Sequence, residues 1–165
     1  MRQKSPLPQK ARKRNPRVVV DTSVLVAGIA GFREPFVSGR NPSADIFHRW
    51  GKRNHFVWLV TEDILDEYKE VLKRLRVRPS LIGKVINLIR ERAERVKVRP
   101  SAEISADPKD AAFCLCAESG NADFIVTLNL KDFPQERLNS KIVLPSELIR
   151  VNEATAPTVP SFSGL

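Results

Sequence analysis

Acidic residues recur where short apolar runs end. Asp21 closes the run RVVVD at 17–21, and Asp66 and Glu67 come one turn into the helical pattern that follows FVWLV at 56–60. Asp107 and Asp110 open the last long helical stretch, and Asp132 follows FIVT at 124–127, with Asn129 three residues before it. In open α/β sheets, chemistry collects outside the carboxyl ends of the strands. Four separate segments therefore deliver a carboxylate to what can be one edge of one sheet. Such a cluster repels itself: at ~4 Å and an effective dielectric of ~20, each close pair costs roughly 4 kcal/mol. It stays ionised only beside a compensating cation. Oxygen ligands without a nearby histidine favour Mg²⁺ or Mn²⁺ over zinc. A divalent ion held there lowers the pKa of a bound water and stabilises charge developing on a phosphate. The ordinary role of an Asp at a strand–helix junction is to cap the helix. Glu62, Asp63, Asp66 and Glu70 also have the spacing of a solvated helix face. Spacing alone leaves both readings open.

The elements that must position these acids alternate in type. Buried strands are expected at 17–21, 56–60, 124–127 and 141–144, with a further short one at Val96–Val98. Helices are expected at 22–29, 43–53, from the Thr61 cap through Leu75, from Pro79 through Ala93, and from Pro108 to a stop at Gly120. Gly31–Gly39 reads as a loop. This alternation predicts an α/β domain with a parallel sheet of about four to five strands and helices on both faces. The domain is expected over 17–150. It is flanked by a basic, proline-containing disordered arm at 1–16 and a polar disordered tail at 151–165.

Charge follows the same segmentation. The 165 residues carry a formal net charge of +9. Residues 1–17 hold seven basic and no acidic side chains, and residues 69–99 hold eleven basic and three acidic. The remaining segments are net acidic, and they contain Asp21, Glu67, Asp107, Asp110 and Asp132. Cations next to an acidic site suit a polyanionic substrate whose reacting phosphate needs a metal and whose flanks need positive charge. Lys69, Lys73, Arg74, Arg76 and Arg78 are the cations expected to grip such a substrate.

Several other classes are disfavoured. The apolar runs fall far short of the ~18–20 residues that span a bilayer, so no membrane association is expected. The N-terminus lacks the apolar stretch of a signal peptide. Two cysteines, Cys114 and Cys116, argue for a reducing, cytoplasmic setting and against a disulfide scaffold. Their spacing disfavours a shared metal. His48 and His55 have no partner at a catalytic spacing, and neither G-x-x-x-x-G-K-[ST] nor G-x-G-x-x-G occurs. Phe47, Trp50, Phe56 and Trp58 are expected to be packing residues.

Three blocks in order resemble a known family. VVVDTSVLVAG at 18–28, ILDEYKEVLKR at 64–74 and DPKDAAFCLCAESGNADFIVTLNLKDF at 107–133 are similar to the motifs of PIN-domain nucleases. Within that family the toxin components of bacterial and archaeal toxin–antitoxin pairs are most similar. The resemblance implies a Rossmann-like fold and a metal-dependent endoribonuclease, often dimeric and inhibited by a cognate antitoxin. Matched by position, Asp21, Glu67 and Asp110 are three of its acids. The fourth is Asp132 in the N-x-x-D-F form, whereas many relatives place an Asp where this chain has Asn129. Asp107 takes a supporting position beside Asp110. Thr22 or Ser23 could orient a metal-bound water, and Thr127 could do so near Asp132; capping and strand-end hydrogen bonding are the ordinary alternatives. A binding or protein-interaction module with a degenerate PIN site and no catalysis is the alternative function. The absence of a D-x-D-x-T loop after the first strand disfavours a phosphatase.

Overall fold

The central strand carries the first candidate acid. β1 (Arg17–Val20) is an uninterrupted β-branched run, and Val18, Val19 and Val20 are fully buried, as a strand covered on both faces requires. It pairs in parallel with β2 (Val57–Val60) on one side and β4 (Phe124–Val126) on the other. β3 (Glu94–Arg95) and β5 (Lys141–Val143) complete a five-stranded parallel sheet in the order β3-β2-β1-β4-β5. In register, Val20 lies opposite Val126, so β1 and β4 end together and bring Asp21 and Thr127 to the same edge. The structure, a computed structural model, describes residues 14–99 and 108–155.

Parallel pairing requires crossover connections. α1 (Thr22–Ala27) and α2 (Pro42–Arg53) join β1 to β2, α3 (Glu62–Arg74) and α4 (Pro79–Arg92) join β2 to β3, and α5 (Pro108–Ser119) precedes β4; short 3₁₀ turns join β4 to β5, and α6 (Pro145–Thr155) follows β5. Strand side chains alternate between faces, and β2 shows which helix covers each. Trp58 meets Phe47 and Trp50 of α2, with ring centroids 5.2 and 4.8 Å away. Leu59 points the other way, toward Gly120 at the end of α5. Helices therefore lie on both faces. Phe47, Trp50, Phe56 and Trp58 are all about 1% exposed and serve packing. Cys114 and Cys116 are free and fully buried in α5, and burial pushes both thiols up to about 12.

After α1 the chain makes a 3₁₀ turn at Ile29–Phe32 and packs closely on α2. A Cβ at Gly28 would lie 2.4 Å from the Ser43 carbonyl oxygen, and one at Gly31 2.2 Å from that of Ala44. Only glycine allows this approach.

Several boundaries differ from the sequence expectation, three of them informatively. The third strand in chain order is Glu94–Arg95, not Val96–Val98. It is an edge strand held by backbone pairing to Leu59 and Val60, so its exposed charged side chains leave no apolar signature. Gly31 lies inside the 3₁₀ turn, so the loop begins later than Gly31. The expected tail from Val151 instead begins as helix, because α6 runs to Thr155. There Asn152 occupies a buried position and Glu153 pairs with Arg49 of α2 at 3.3 Å. A polar residue on the inward face masked the helical period. The expected arm at 1–16 falls outside the described residues except for its last three. Of these, Arg14 pairs with Asp123 at 3.7 Å, Asn15 donates to the Asn54 carbonyl, and Pro16 accepts from Val57.

Candidate active site

Asp21 stands at the N-cap of α1, but its carboxylate makes no capping hydrogen bond. The ordinary explanation for an acid at this junction therefore fails. Its Oδ2 accepts from Ser23 Oγ at 2.6 Å and from Thr127 Oγ1 at 2.8 Å, and the residue is 9% exposed. Buried carboxylates ordinarily sit beside a cation. No ion pair among the described residues reaches Asp21. The two hydroxyls are themselves anchored by the loop after β4: Leu128 N–H donates to Ser23 Oγ at 3.2 Å, and Asn129 N–H to Thr127 Oγ1 at 3.0 Å.

Glu67 reaches the same edge from α3. Thr61 caps this helix by accepting from Ile64 N–H at 3.2 Å. Helical spacing then buries Ile64, Leu65, Tyr68 and Leu72 and leaves Glu62, Asp63, Asp66 and Glu70 in solvent. Glu67, half-buried, lies at the border between the two faces, and Thr22 Oγ1 donates to its Oε2 at 3.4 Å. Asp66 is exposed and pairs with Lys69 at 3.6 Å, which separates it from its neighbour. The next residue along, Tyr68, donates its hydroxyl to the Val20 carbonyl at 2.6 Å and accepts from Trp58 Nε1 at 3.3 Å. Burial raises the Tyr68 hydroxyl well above its ordinary pKa, so it remains a donor. The pair Glu67–Tyr68 thus grips β1 and α1 on either side of Asp21.

The structure gathers these residues in two hydrogen-bonded sets on adjacent positions, Asp21 with Ser23 and Thr127, and Thr22 with Glu67. Thr127 was expected near Asp132 and instead bonds Asp21, because the register of β1 and β4 places them side by side. Asp110 stands half-buried in the first turn of α5. Asp132 is exposed at the end of a 3₁₀ turn, Leu130–Asp132, and Asn129 is exposed at its start. Asp107 lies outside the described residues. Among the described residues, no three His, Cys, Asp or Glu side chains converge as a metal-holding group. The donors at Asp21 and Glu67 are carboxylate oxygens, the type that suits a hard divalent ion.

A groove of about 620 Å³ opens beside this group, lined by Thr22, Ser23, Ala27, Glu67, Glu70 and Arg74. Of the expected RNA-gripping residues, Lys69 and Arg74 pair with acids of their own helix, Arg74 with Glu70 at 3.3 Å. Lys73, Arg76 and Arg78 are exposed. Tyr68 was not singled out from the sequence. Its polar role has no sequence signal, because the partner is a backbone carbonyl 48 positions away.

A family model described as PIN domain matches residues 17–131. No curated protein matches the chain. Among solved structures, it is similar to a chain in the crystal structure of VapBC2 from Rickettsia felis bound to a DNA fragment from their promoter. The identity is 14%, over 77% of this chain and 96% of that one, with a TM-score of 0.49.

Proposed function

The chain belongs to the PIN-domain family, whose members are generally nucleases that use divalent metal ions, and on that premise we propose that it is an Mg²⁺- or Mn²⁺-dependent endoribonuclease. In the same reading it is the toxin of a toxin–antitoxin pair, acting in the cytoplasm as a homodimer and held in check by a cognate antitoxin protein. The active unit is the PIN domain from residue 17 to the end of α6.

One observation carries this reading: a buried carboxylate at the end of the central strand that caps nothing and is held only by hydroxyls. With Oδ2 engaged by Ser23 and Thr127, Oδ1 of Asp21 is the oxygen left for a cation. Asp21, Glu67, Asp110 and Asp132 are the residues proposed to hold the ion. When bound, the ion activates a water and offsets charge on the phosphate. The chain's own residues do the rest. Ser23 and Thr127 fix the direction of the Asp21 carboxylate, and Thr22 fixes that of Glu67. Tyr68 holds α3 against β1, so that the two acids keep their separation.

The test is cleavage of single-stranded RNA with Mg²⁺ or Mn²⁺, in parallel with EDTA and with Asp21→Asn. Cleavage that requires the ion and is lost in the variant is expected; cleavage retained in both controls overturns the mechanism. The exposed position of Asp132 favours one other reading, a binding module with a degenerate site. Calorimetric titration with Mn²⁺ separates the two, since such a module gives no specific heat of binding.

A further inference from the structure

A second groove, of about 860 Å³, lies beyond the first and has a different character. Arg33, Arg76, Arg78 and Lys84 line it, over an apolar floor that includes Val77 and Leu81. Several other cations of the basic segment are engaged by protein partners. Arg90 and Arg95 pair with Glu62, and Arg92 donates to the Trp50 and Gly51 carbonyls. In contrast, no ion pair among the described residues involves Arg33, Arg76 or Arg78. The one acid on the rim, Glu34, faces His48 and Lys52, each at 3.7 Å. Lys84 Nζ donates to the Phe32 carbonyl at 3.2 Å, which fixes the backbone beside Arg33.

Arg76 is placed there against its backbone preference. Its N–H bonds the Lys73 carbonyl at 2.9 Å and the Val77 N–H bonds that of Leu72 at 3.0 Å, which is the Schellman ending of a helix. The residue between them adopts φ +63°, a left-handed conformation that ordinarily selects glycine. An arginine at this position retains a guanidinium at the groove where a glycine would suit the fold better. Strain of this kind points from structure to function.

The two grooves follow the same pair of segments. The first is lined by α1 and by α3 up to Arg74, and the second by Ile29 and Arg33 just after α1 and by Arg76 and Arg78 just after α3. By helical rise, Glu67 and Arg76 are roughly 13 Å apart along this seam. An occupant leaving the acids along the seam meets four cations, with Glu34 turned to His48 and Lys52, and the apolar side chains of Val77 and Leu81. Single-stranded nucleic acid presents both counterparts, phosphates and base faces. We propose that the groove of Arg33, Arg76, Arg78 and Lys84 binds the backbone of the single-stranded RNA on one flank of the bond cut at Asp21. This rests on the nuclease reading for the bond, although the groove's own binding is measured without it.

The experiment uses the full chain carrying Asp21→Asn, so that RNA survives, and reads binding of a fluorescently labelled single-stranded RNA by anisotropy across a salt series. Adding Arg33→Ala and Arg76→Gly removes two cations, and the second change also relieves the turn. The slope of log affinity against log salt is expected to fall by about 1.4, at ~0.7 per phosphate contact on a single strand, with affinity weakened at every salt concentration. The denaturation midpoint of this variant is expected to hold or rise, which separates lost binding from lost folding. The comparison pair Arg53→Ala and Lys141→Ala, exposed elsewhere, keeps the parent slope. Equal slopes in parent and groove variant, or an equal loss in the comparison pair, overturn the proposal. So does polyglutamate binding at least as tightly as RNA and lost in the same variant, which assigns the groove to an acidic protein. If cleavage by the unaltered chain fails while the slope change is found, the nuclease reading falls and the groove stands. If cleavage follows Asp21 while the slope is unchanged, the groove assignment alone falls.

Discussion

Thr127 Oγ1 lies 2.8 Å from Asp21 Oδ2, so the residue that ends β4 holds the acid that ends β1. The bond joins residues 106 positions apart, and it exists because the two strands are adjacent and end in register. Thr127→Val keeps the shape and removes the donor, leaving a buried carboxylate with one hydroxyl fewer. A loss of about 1–3 kcal/mol in urea denaturation is expected, whereas Thr127→Ser stays near the parent.

Metal binding has a readout that does not depend on cleavage. Mn²⁺ that binds only the folded chain stabilises it by about 2.7 kcal/mol at a hundredfold excess over Kd. Thermal denaturation with and without Mn²⁺ is expected to show a rise in Tm for the parent and none for Asp21→Asn or Glu67→Gln. Equal rises in all three would remove these acids from the metal site.

Tyr68 makes two buried hydrogen bonds, to Val20 and from Trp58. Tyr68→Phe preserves the ring and its contacts with Trp58 and Phe113. It is expected to cost about 1–3 kcal/mol and to lower kcat for RNA with little change in KM, since the substrate never touches this hydroxyl. A change in KM alone would contradict the positioning role.

At Gly28 the nearest atoms to an added Cβ belong to the Ser43 backbone, which cannot rotate away. Gly28→Ala therefore forces α1 and α2 apart, at a cost of about 1–3 kcal/mol read as a fall in Tm. Gly51, with open space around its Cβ position, provides the comparison: Gly51→Ala is expected to hold or raise stability.

Arg17 and Glu94 bind in a fork, at 3.0 and 2.7 Å, tying β1 to the edge strand β3. The hydrogen bond from Arg17 holds the Glu94 carboxyl below its ordinary pKa. The folded state therefore keeps the carboxylate where the unfolded chain would protonate it. The pair's contribution is complete above the ordinary glutamate pKa of about 4.3 and is lost as pH falls through the lower folded value. Glu94 is about half exposed, so the effect stays under about 1 kcal/mol. Denaturation midpoints between pH 7 and 3 are expected to fall less steeply for Glu94→Gln than for the parent.

Much of the fold was legible in the sequence because burial writes itself into periodicity. The runs at 17–21, 56–60 and 124–127 became β1, β2 and β4, and the helix expected from the Thr61 cap through Leu75 became α3, with Ile64, Leu65, Tyr68 and Leu72 on its buried face. The elements that sequence misplaced lack that imprint. β3 is an exposed edge of two charged residues, and the end of α6 buries an asparagine. Backbone pairing and helix packing stabilise them without an apolar pattern.

The residue types and the chain positions of Asp21, Glu67, Asp110 and Asp132 are properties of the sequence, as are the family motifs around them. Contact is not. That Asp21 caps nothing, that Thr127 serves Asp21 and not Asp132, and that Arg33 joins Arg76, Arg78 and Lys84 on one groove follow from strand register and from α1 and α3 lying side by side. Local sequence encodes which residues are apolar and where turns fall, because those depend on neighbours in the chain. Which charges meet depends on how parallel strands and their crossovers pack, and that is decided only when the whole core closes.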